Sequence, residues 1–244
     1  MNMKRIILGA LLLTVLGCSE DIKILEERIK AQAERNNTEI SVADIKKTAL
    51  FLDAWGKEDY YQEDINKFKD QDLIDFPKDV EVLFTGSSSI RFWNSLEEDM
   101  RPLKVLNRGF GGAHIVHINY HFKDVVSRYN PQAIVFFCGT NDITALKTAK
   151  ETVEDFKIFQ NKVRTYLPNV PIFVIGIKPT PAREYIEEEE LEYNKLIADL
   201  AAEDELLSFI DIWDAMLSEE GERIPELFVE DGLHINAKGY EIWT

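Results

Sequence analysis

Short apolar runs alternate with amphipathic patterns from about residue 60 to the end of the chain. The runs are rich in Val, Ile, Phe and Leu without polar alternation, which is typical of strands buried on both faces of a sheet. Helical periodicity lies between several of them, as at Glu151–Leu167 and Ile186–Ala202, and favours right-handed parallel crossovers. The pattern predicts a three-layer α/β sandwich, with strands at Val80–Thr85, Lys104–Leu106, Ala133–Cys138, Pro171–Ile177 and Leu207–Ile212.

The first residues have the pattern of an export signal. Met1–Arg5 is short and basic, and the apolar run Ile6–Leu16 is too short to span a bilayer, which needs about 20 helical residues. The run ends at Gly17 and Cys18, which resembles the lipobox of bacterial lipoproteins. That resemblance implies diacylation of Cys18 and a lipid-anchored protein of the bacterial cell envelope, with Ser19 favouring the outer membrane. Ordinary signal cleavage, with Cys18 incidental, is the alternative.

A polar segment separates this signal from the alternating region. Residues 20–57 are rich in Glu, Lys, Asn and Gln, and their apolar residues fall on narrow helical stripes. Ser41 followed by Asp44 is a weak capping signal for one helix, and Tyr61 begins the apolar face of another. We therefore divide the chain into a signal peptide at 1–17, an acidic, partly helical tether at 18–59 and one compact domain at 60–244.

Charge and cysteine content exclude some classes of partner and scaffold. The chain has 28 Lys and Arg against 44 Asp and Glu, a net charge of −16, which repels nucleic acid and anionic bilayers. Two cysteines cannot build a disulfide framework, and we expect Cys138, at the end of a predicted strand, to be a small core residue.

Small and polar residues follow the first predicted strands. Ligand sites of parallel sheets form at the carboxyl ends of the strands, so these residues are the first candidates for chemistry. Gly86–Ser89 permits a sharp turn into a helix, which suits a nucleophilic serine whose own N–H can hold an oxyanion. A plain N-cap serine or a phosphate-binding turn would have the same pattern.

Three further groups lie at the same predicted edge. The glycines of 107–112 allow a close approach of backbone to ligand, although they could form a tight turn only. Asn141 could donate from its amide or could be a turn residue. Asp231 lies three residues before His234, close enough to orient the imidazole as a base.

Four blocks in this order and spacing resemble those of the SGNH hydrolases, also called GDSL esterases: TGSSSIRFW (85–93), NRGFGG (107–112), CGTND (138–142) and DGLH (231–234). The resemblance covers about residues 60–244. The chain departs from the signature at Ser87, where the family has Asp, and at Ser89, where it has Leu. Because three serines are adjacent, the choice of Ser88 rests on its register with the signature.

The resemblance implies a flavodoxin-like α/β/α fold with a five-stranded parallel sheet. It makes Ser88 the nucleophile, His234 the general base and Asp231 the carboxylate that orients it. Gly112 and Asn141 become the oxyanion donors, together with the N–H of Ser88. The implied reaction needs no metal and no organic cofactor.

Other polar residues have less specific patterns. His114, His117 and His121 could line one helix face as metal ligands, but no acidic or Cys cluster accompanies them, so we expect packing or solvent-facing side chains. We expect His114 to border the substrate pocket and Arg183, after the fourth strand, to contact substrate; an exposed salt bridge is the alternative for Arg183. The acidic run 187–190 is expected to form a solvated helix face.

Two functions fit these observations. The first is an exported serine esterase that acts on small acyl esters, either acetylated carbohydrates or lysophospholipid-like esters. The second is a lipid-anchored lipoprotein that keeps the fold and binds glycan or envelope components without catalysis. A binding module has no need for Ser88, Asn141, Asp231 and His234 together, so the sequence favours the enzyme. The oligomeric state is not predicted.

Overall fold

The computed structural model describes residues 20–244, in two compact units divided between Tyr60 and Tyr61. The predicted signal peptide and lipid-bearing Cys18 lie outside the described residues. Within 20–244, no helix combines the length and apolar character needed to cross a bilayer.

The first unit is largely helical where it is described. Residues 20–35 form helix α1, and α2 spans Val42–Trp55. The capping signal of the sequence is present, because Ser41 Oγ accepts a hydrogen bond from the backbone N–H of Asp44 at 3.1 Å.

The second unit confirms the predicted three-layer sandwich around a five-stranded, all-parallel sheet. The strand order is β2-β1-β3-β4-β5. The strands are β1 Val82–Gly86, β2 Val105–Gly109, β3 Ala133–Phe137, β4 Ile172–Ile175 and β5 Leu207–Ile210.

Helices cover both faces of this sheet. The α-helices are α3 Gln62–Ile74, α4 Ser88–Arg91, α5 Leu96–Asp99, α6 Ile115–Tyr120, α7 Phe122–Val125, α8 Thr140–Thr144, α9 Ala149–Tyr166, α10 Glu187–Glu203 and α11 Ala237–Trp243. Short 3₁₀ segments lie at Ser127–Tyr129, Pro181–Ile186, Asp214–Met216 and Pro225–Leu227.

Alternate residues of each strand supply two separate cores. In β3, Ile134 and Phe136 pack with α3, α6, α7, α9 and α10, whereas Phe137 packs on the other side with α4, α5 and α11. Both faces of the sheet are therefore buried, which explains why the apolar runs show no polar alternation.

Two sequence predictions need correction. Strand β2 extends through Asn107 to Gly109, in register with β1, instead of ending at Leu106. Its polar end is held by the Asn107 side chain, which donates to Ile90 O at 2.6 Å and accepts from Gly109 N at 2.9 Å. The run 187–190 is not wholly solvated, because Glu190 is fully buried in the first turn of α10.

Candidate active site

The strand order gathers the predicted site residues at one edge of the sheet. Strand β1 lies between β2 and β3, so Ser88, just after β1, is flanked by the segments that carry Gly112 and Asn141. The segment after β4 carries Arg183. Residues far apart in sequence therefore converge, because parallel strands all end on the same side.

The turn after β1 depends on a glycine. Gly86 has φ +146°, and a Cβ there would lie 2.0 Å from the carbonyl oxygen of Phe137 on the neighbouring strand. Ser87 N donates to that same oxygen at 3.0 Å. Ser88 is thereby the first residue of α4, where a backbone N–H has no acceptor within the helix and can serve a ligand.

Three of the predicted residues form a continuous hydrogen-bonded chain. Ser88 Oγ lies 2.8 Å from His234 Nε2, and His234 Nδ1 lies 2.6 Å from Asp231 Oδ2. Because an ionised carboxylate only accepts, Nδ1 carries the proton, and Nε2 of the neutral ring accepts from the Ser88 hydroxyl. The arrangement can take a proton from Ser88 and hold it on the imidazole.

The loop around Asp231 holds the carboxylate toward His234. Its Oδ1 accepts from the backbone N–H groups of Leu233 at 2.8 Å and of His234 at 2.9 Å. Partial burial opposes ionisation, but the hydrogen bonds from His234 and from these N–H groups outweigh it and lower the pKa of Asp231. The rings of Phe92 and His234 are in contact and nearly perpendicular, with centroids 5.0 Å apart.

The two further predicted donors lie close together. Asn141 is buried, and its Nδ2 donates at 3.0 Å to the carbonyl oxygen of Ala113, the residue that follows Gly112. Gly112 has φ +74°, a left-handed conformation that glycine adopts without strain. The structure thus brings the turn after β2 against the start of α8.

Arg183 contacts the candidate oxyanion donor. Both terminal nitrogens of its guanidinium donate to Asn141 Oδ1, each at 3.1 Å. The adjacent Ala182 N donates at 3.1 Å to the carbonyl oxygen of Gly232, between Asp231 and His234. A contact of Arg183 with substrate stays a prediction.

A buried lysine that was not predicted lies beneath the Ser88 turn. Lys178 is 2% exposed, and its Nζ donates to Ser89 Oγ at 3.0 Å and lies 4.9 Å from the centroid of the Phe137 ring. Burial, reinforced by the charge of Arg183, lowers the pKa of Lys178 from 10.5 to about 7. Tyr240 Oη donates to Ser89 O at 2.8 Å, so the side-chain oxygen and the backbone oxygen of Ser89 both accept a hydrogen bond. The sequence signal that could have identified Lys178 is its position directly after the apolar run Pro171–Ile177.

Glu190 was also missed, although helical spacing could have identified it. It shares the buried face of α10 with Tyr193, Asn194 and Ile197, at intervals of three, four and seven residues. Burial raises the pKa of Glu190 from 4.5 to about 8, against the opposing charges of Lys178 and Arg183.

The three histidines are packed within the second unit. His114, His117 and His121 are each at most 3% exposed, and the rings of His114 and His117 lie 5.0 Å apart. Burial, and then the neighbouring charges of His117, Lys147 and Arg183, lower the pKa of His114 to about 2. Among residues 20–244, no three His, Cys, Asp or Glu side chains are grouped to hold a metal ion. A role for His114 in binding substrate stays a prediction.

Comparison with known proteins gives one family match. The sequence model of the GDSL-like Lipase/Acylhydrolase family matches residues 84–242, a range that contains every candidate residue of this site. No curated protein matches the chain.

Solved structures resemble the chain in fold. A protein from Streptococcus pneumonia provisionally described as a platelet activating factor is 23% identical, with a TM-score of 0.66 over 74% of this chain and 88% of that one. A GDSL-like lipase from Bacteroides thetaiotaomicron is 18% identical, with a TM-score of 0.58 over 78% of this chain and 94% of that one. A family 3 carbohydrate esterase from Clostridium thermocellum is 17% identical, with a TM-score of 0.53 over 68% of this chain and 94% of that one.

Proposed function

The chain belongs to the GDSL-like lipase/acylhydrolase family of ester-hydrolysing enzymes, and we propose that it cleaves small acyl esters through Ser88, His234 and Asp231. The observation that carries this assignment is the hydrogen-bonded chain from Ser88 Oγ through the imidazole to Asp231, with distances of 2.8 and 2.6 Å. A structural serine at a helix start has no need for such a base behind it.

In the proposed reaction, Ser88 Oγ attacks the ester carbonyl while His234 Nε2 takes the hydroxyl proton. The carbonyl π electrons move to oxygen, and the oxyanion is held by N–H donors of Ser88, Gly112 and Asn141. Collapse breaks the bond to the alcohol, which leaves with the proton from His234, and the acyl group stays on Ser88. Water activated by His234 then releases the carboxylic acid and restores Ser88.

Asp231 keeps the imidazole in the productive tautomer during both steps. Its carboxylate is fixed by two backbone N–H groups and stays ionised as pH falls, because its pKa is lowered. The positive imidazolium formed in each transition state is adjacent to this negative charge, which stabilises it.

We propose that the substrate is either an acetylated carbohydrate or a lysophospholipid-like ester. The solved structures of similar fold include both a GDSL-like lipase and a family 3 carbohydrate esterase. A panel of acetylated xylo- and chito-oligosaccharides, lysophospholipids and p-nitrophenyl esters of increasing chain length distinguishes the two.

We also propose that the enzyme is exported and anchored in the bacterial cell envelope by lipid on Cys18. This part rests on the sequence of residues 1–18 alone. Metabolic labelling with an alkyne-bearing fatty acid tests it, because the label should be lost in Cys18→Ala but not in Cys138→Ala.

Labelling by a fluorophosphonate tests the assignment of Ser88. We expect an adduct on Ser88 in the full chain, found by peptide mass spectrometry. The chain provides matched controls, because Ser87→Ala and Ser89→Ala should keep the adduct while Ser88→Ala loses it. Ser89 is a strict control, since it is adjacent, buried and hydrogen-bonded to Lys178.

The same experiment separates the enzyme from a non-catalytic binding protein. Folded protein that neither reacts with the fluorophosphonate nor hydrolyses any ester of the panel would favour the binding protein. An adduct on Ser87 or Ser89 would keep the esterase but move its nucleophile.

A further inference from the structure

We propose that Arg183 is a positioning residue for the oxyanion donor Asn141 and acts through that side chain instead of contacting substrate. The inference rests on the proposed esterase function. In this role, Arg183 holds the amide of Asn141 in one orientation before substrate binds.

An asparagine amide has two orientations that differ by a half-turn and exchange its donor and acceptor ends. Only one of them presents N–H to an oxyanion. The orientation must therefore be selected by the neighbours of the amide.

Both neighbours of Asn141 select the same orientation. Arg183 has only donors, and its two N–H groups at 3.1 Å require oxygen at their end of the amide. The carbonyl oxygen of Ala113 only accepts, and its distance of 3.0 Å requires nitrogen at the other end. Since Nδ2 has two hydrogens and Ala113 takes one, the second is directed elsewhere and can serve the oxyanion.

Burial makes this selection effective. Asn141 is 6% exposed, so water competes poorly for its amide. A flipped amide would set its NH₂ against the guanidinium and its oxygen against the Ala113 carbonyl, losing every hydrogen bond described above.

The backbone next to Arg183 is tied to the His234 loop. The 3₁₀ segment Pro181–Ile186 is interrupted at Arg183, where φ is −129° and ψ is 26°. Ala182 N, one residue earlier, donates to Gly232 O at 3.1 Å. One short segment thus holds both the oxyanion donor and the loop that carries the base, which fits a role in geometry more than a role in binding one substrate.

A double-mutant cycle between Arg183 and Asn141 tests the proposal. We would measure kcat and KM with p-nitrophenyl acetate for Arg183→Met, Arg183→Lys, Asn141→Ala and the double variant Arg183→Met/Asn141→Ala. We expect Arg183→Met to lower kcat by roughly 10- to 100-fold, a part of the ~10²–10³ that one oxyanion donor contributes. KM should change by less than about 2-fold, because the ground-state substrate makes no bond to Arg183.

Two further expectations separate positioning from a structural effect. In the Asn141→Ala background, Arg183→Met should cost less than about 3-fold, since the amide it orients is gone. Arg183→Lys should recover part of the lost kcat, because an ammonium group is also a pure donor.

Arg164→Met is the matched control, with unchanged kcat expected. Arg164 is also partly buried, and it pairs with Asp204 instead of Asn141. Thermal melting of each variant shows whether it is folded.

Three outcomes would overturn the inference. A raised KM with unchanged kcat would make Arg183 a substrate-binding residue. A loss of equal size with and without the Asn141 amide would show that the two act independently. Absence of turnover by the wild-type protein, with Ser88 unlabelled by fluorophosphonate, would remove the proposed function as well, whereas the first two outcomes leave it intact.

Discussion

Replacing Asp231 by Asn should harm the enzyme more than replacing it by Ala. The carboxylate has two oxygens with different partners: Oδ2 faces His234 Nδ1, and Oδ1 faces the N–H groups of Leu233 and His234. An amide of the same shape has only one oxygen to place. It must either satisfy the two backbone donors or face the imidazole.

The two backbone donors should decide this choice. Each such hydrogen bond contributes about 0.5–1.5 kcal/mol, so together they favour the amide oxygen at the backbone by about 1–3 kcal/mol, or roughly 5- to 150-fold. The NH₂ group then faces Nδ1, which must become an acceptor and shift its proton to Nε2. That tautomer cannot accept the proton of Ser88 Oγ. The imidazolium also loses the neighbouring negative charge, and we expect kcat to fall by roughly 10²–10⁴ in total.

Asp231→Ala loses the charge without imposing the wrong tautomer. The Asp231 side chain is 47% exposed, so water can reach the vacated position and accept from Nδ1. Hydrolysis of p-nitrophenyl acetate by the two variants, from pH 6 to 9, gives the comparison. The reasoning would be refuted if the Asn variant retained more activity than the Ala variant across that range.

The remaining predictions concern the oxyanion donor, the turn and a buried acid. Asn141→Ala should lower kcat by roughly 10²–10³ with little change in KM, and an unchanged kcat would exclude its amide as a donor. Its melting temperature should also fall, because Ala113 O and the Arg183 guanidinium lose a buried hydrogen-bond partner. Gly86→Ala should destabilise the protein by roughly 2–6 kcal/mol in urea unfolding, because its Cβ would meet Phe137 O at 2.0 Å in a left-handed conformation. Gly221→Ala, at φ +81° with no atom within 4 Å, is the control and should cost only the backbone strain. Glu190→Gln should raise the melting temperature at pH 8.5 and leave it nearly unchanged at pH 4.5. The folded protein holds on Glu190 a proton that the unfolded chain releases above pH 4.5, so this carboxyl lowers stability as pH rises from 4.5 toward 8. An equal effect at both pH values would contradict the buried, protonated carboxyl.

The positions of most elements could be predicted from local patterns. The apolar runs located all five strands, because a strand buried on both faces must be apolar along its length. Strand β2 was predicted too short because Asn107 is polar, yet it belongs to the strand through side-chain bonds to Ile90 and Gly109. Hydrogen bonds of this kind depend on a partner in another segment, which the local sequence pattern does not show.

By itself the sequence determined the sandwich and the candidate residues Ser88, Asn141, Asp231 and His234, since short motifs and periodicity are local properties of a chain. The tertiary structure alone decided how single polar groups are paired. It placed Lys178 beneath Ser89 and Arg183 against Asn141, residues separated by 89 and 42 positions. Periodicity indicates which face of an element is buried, but the partner of one buried donor or acceptor depends on which distant strands end side by side.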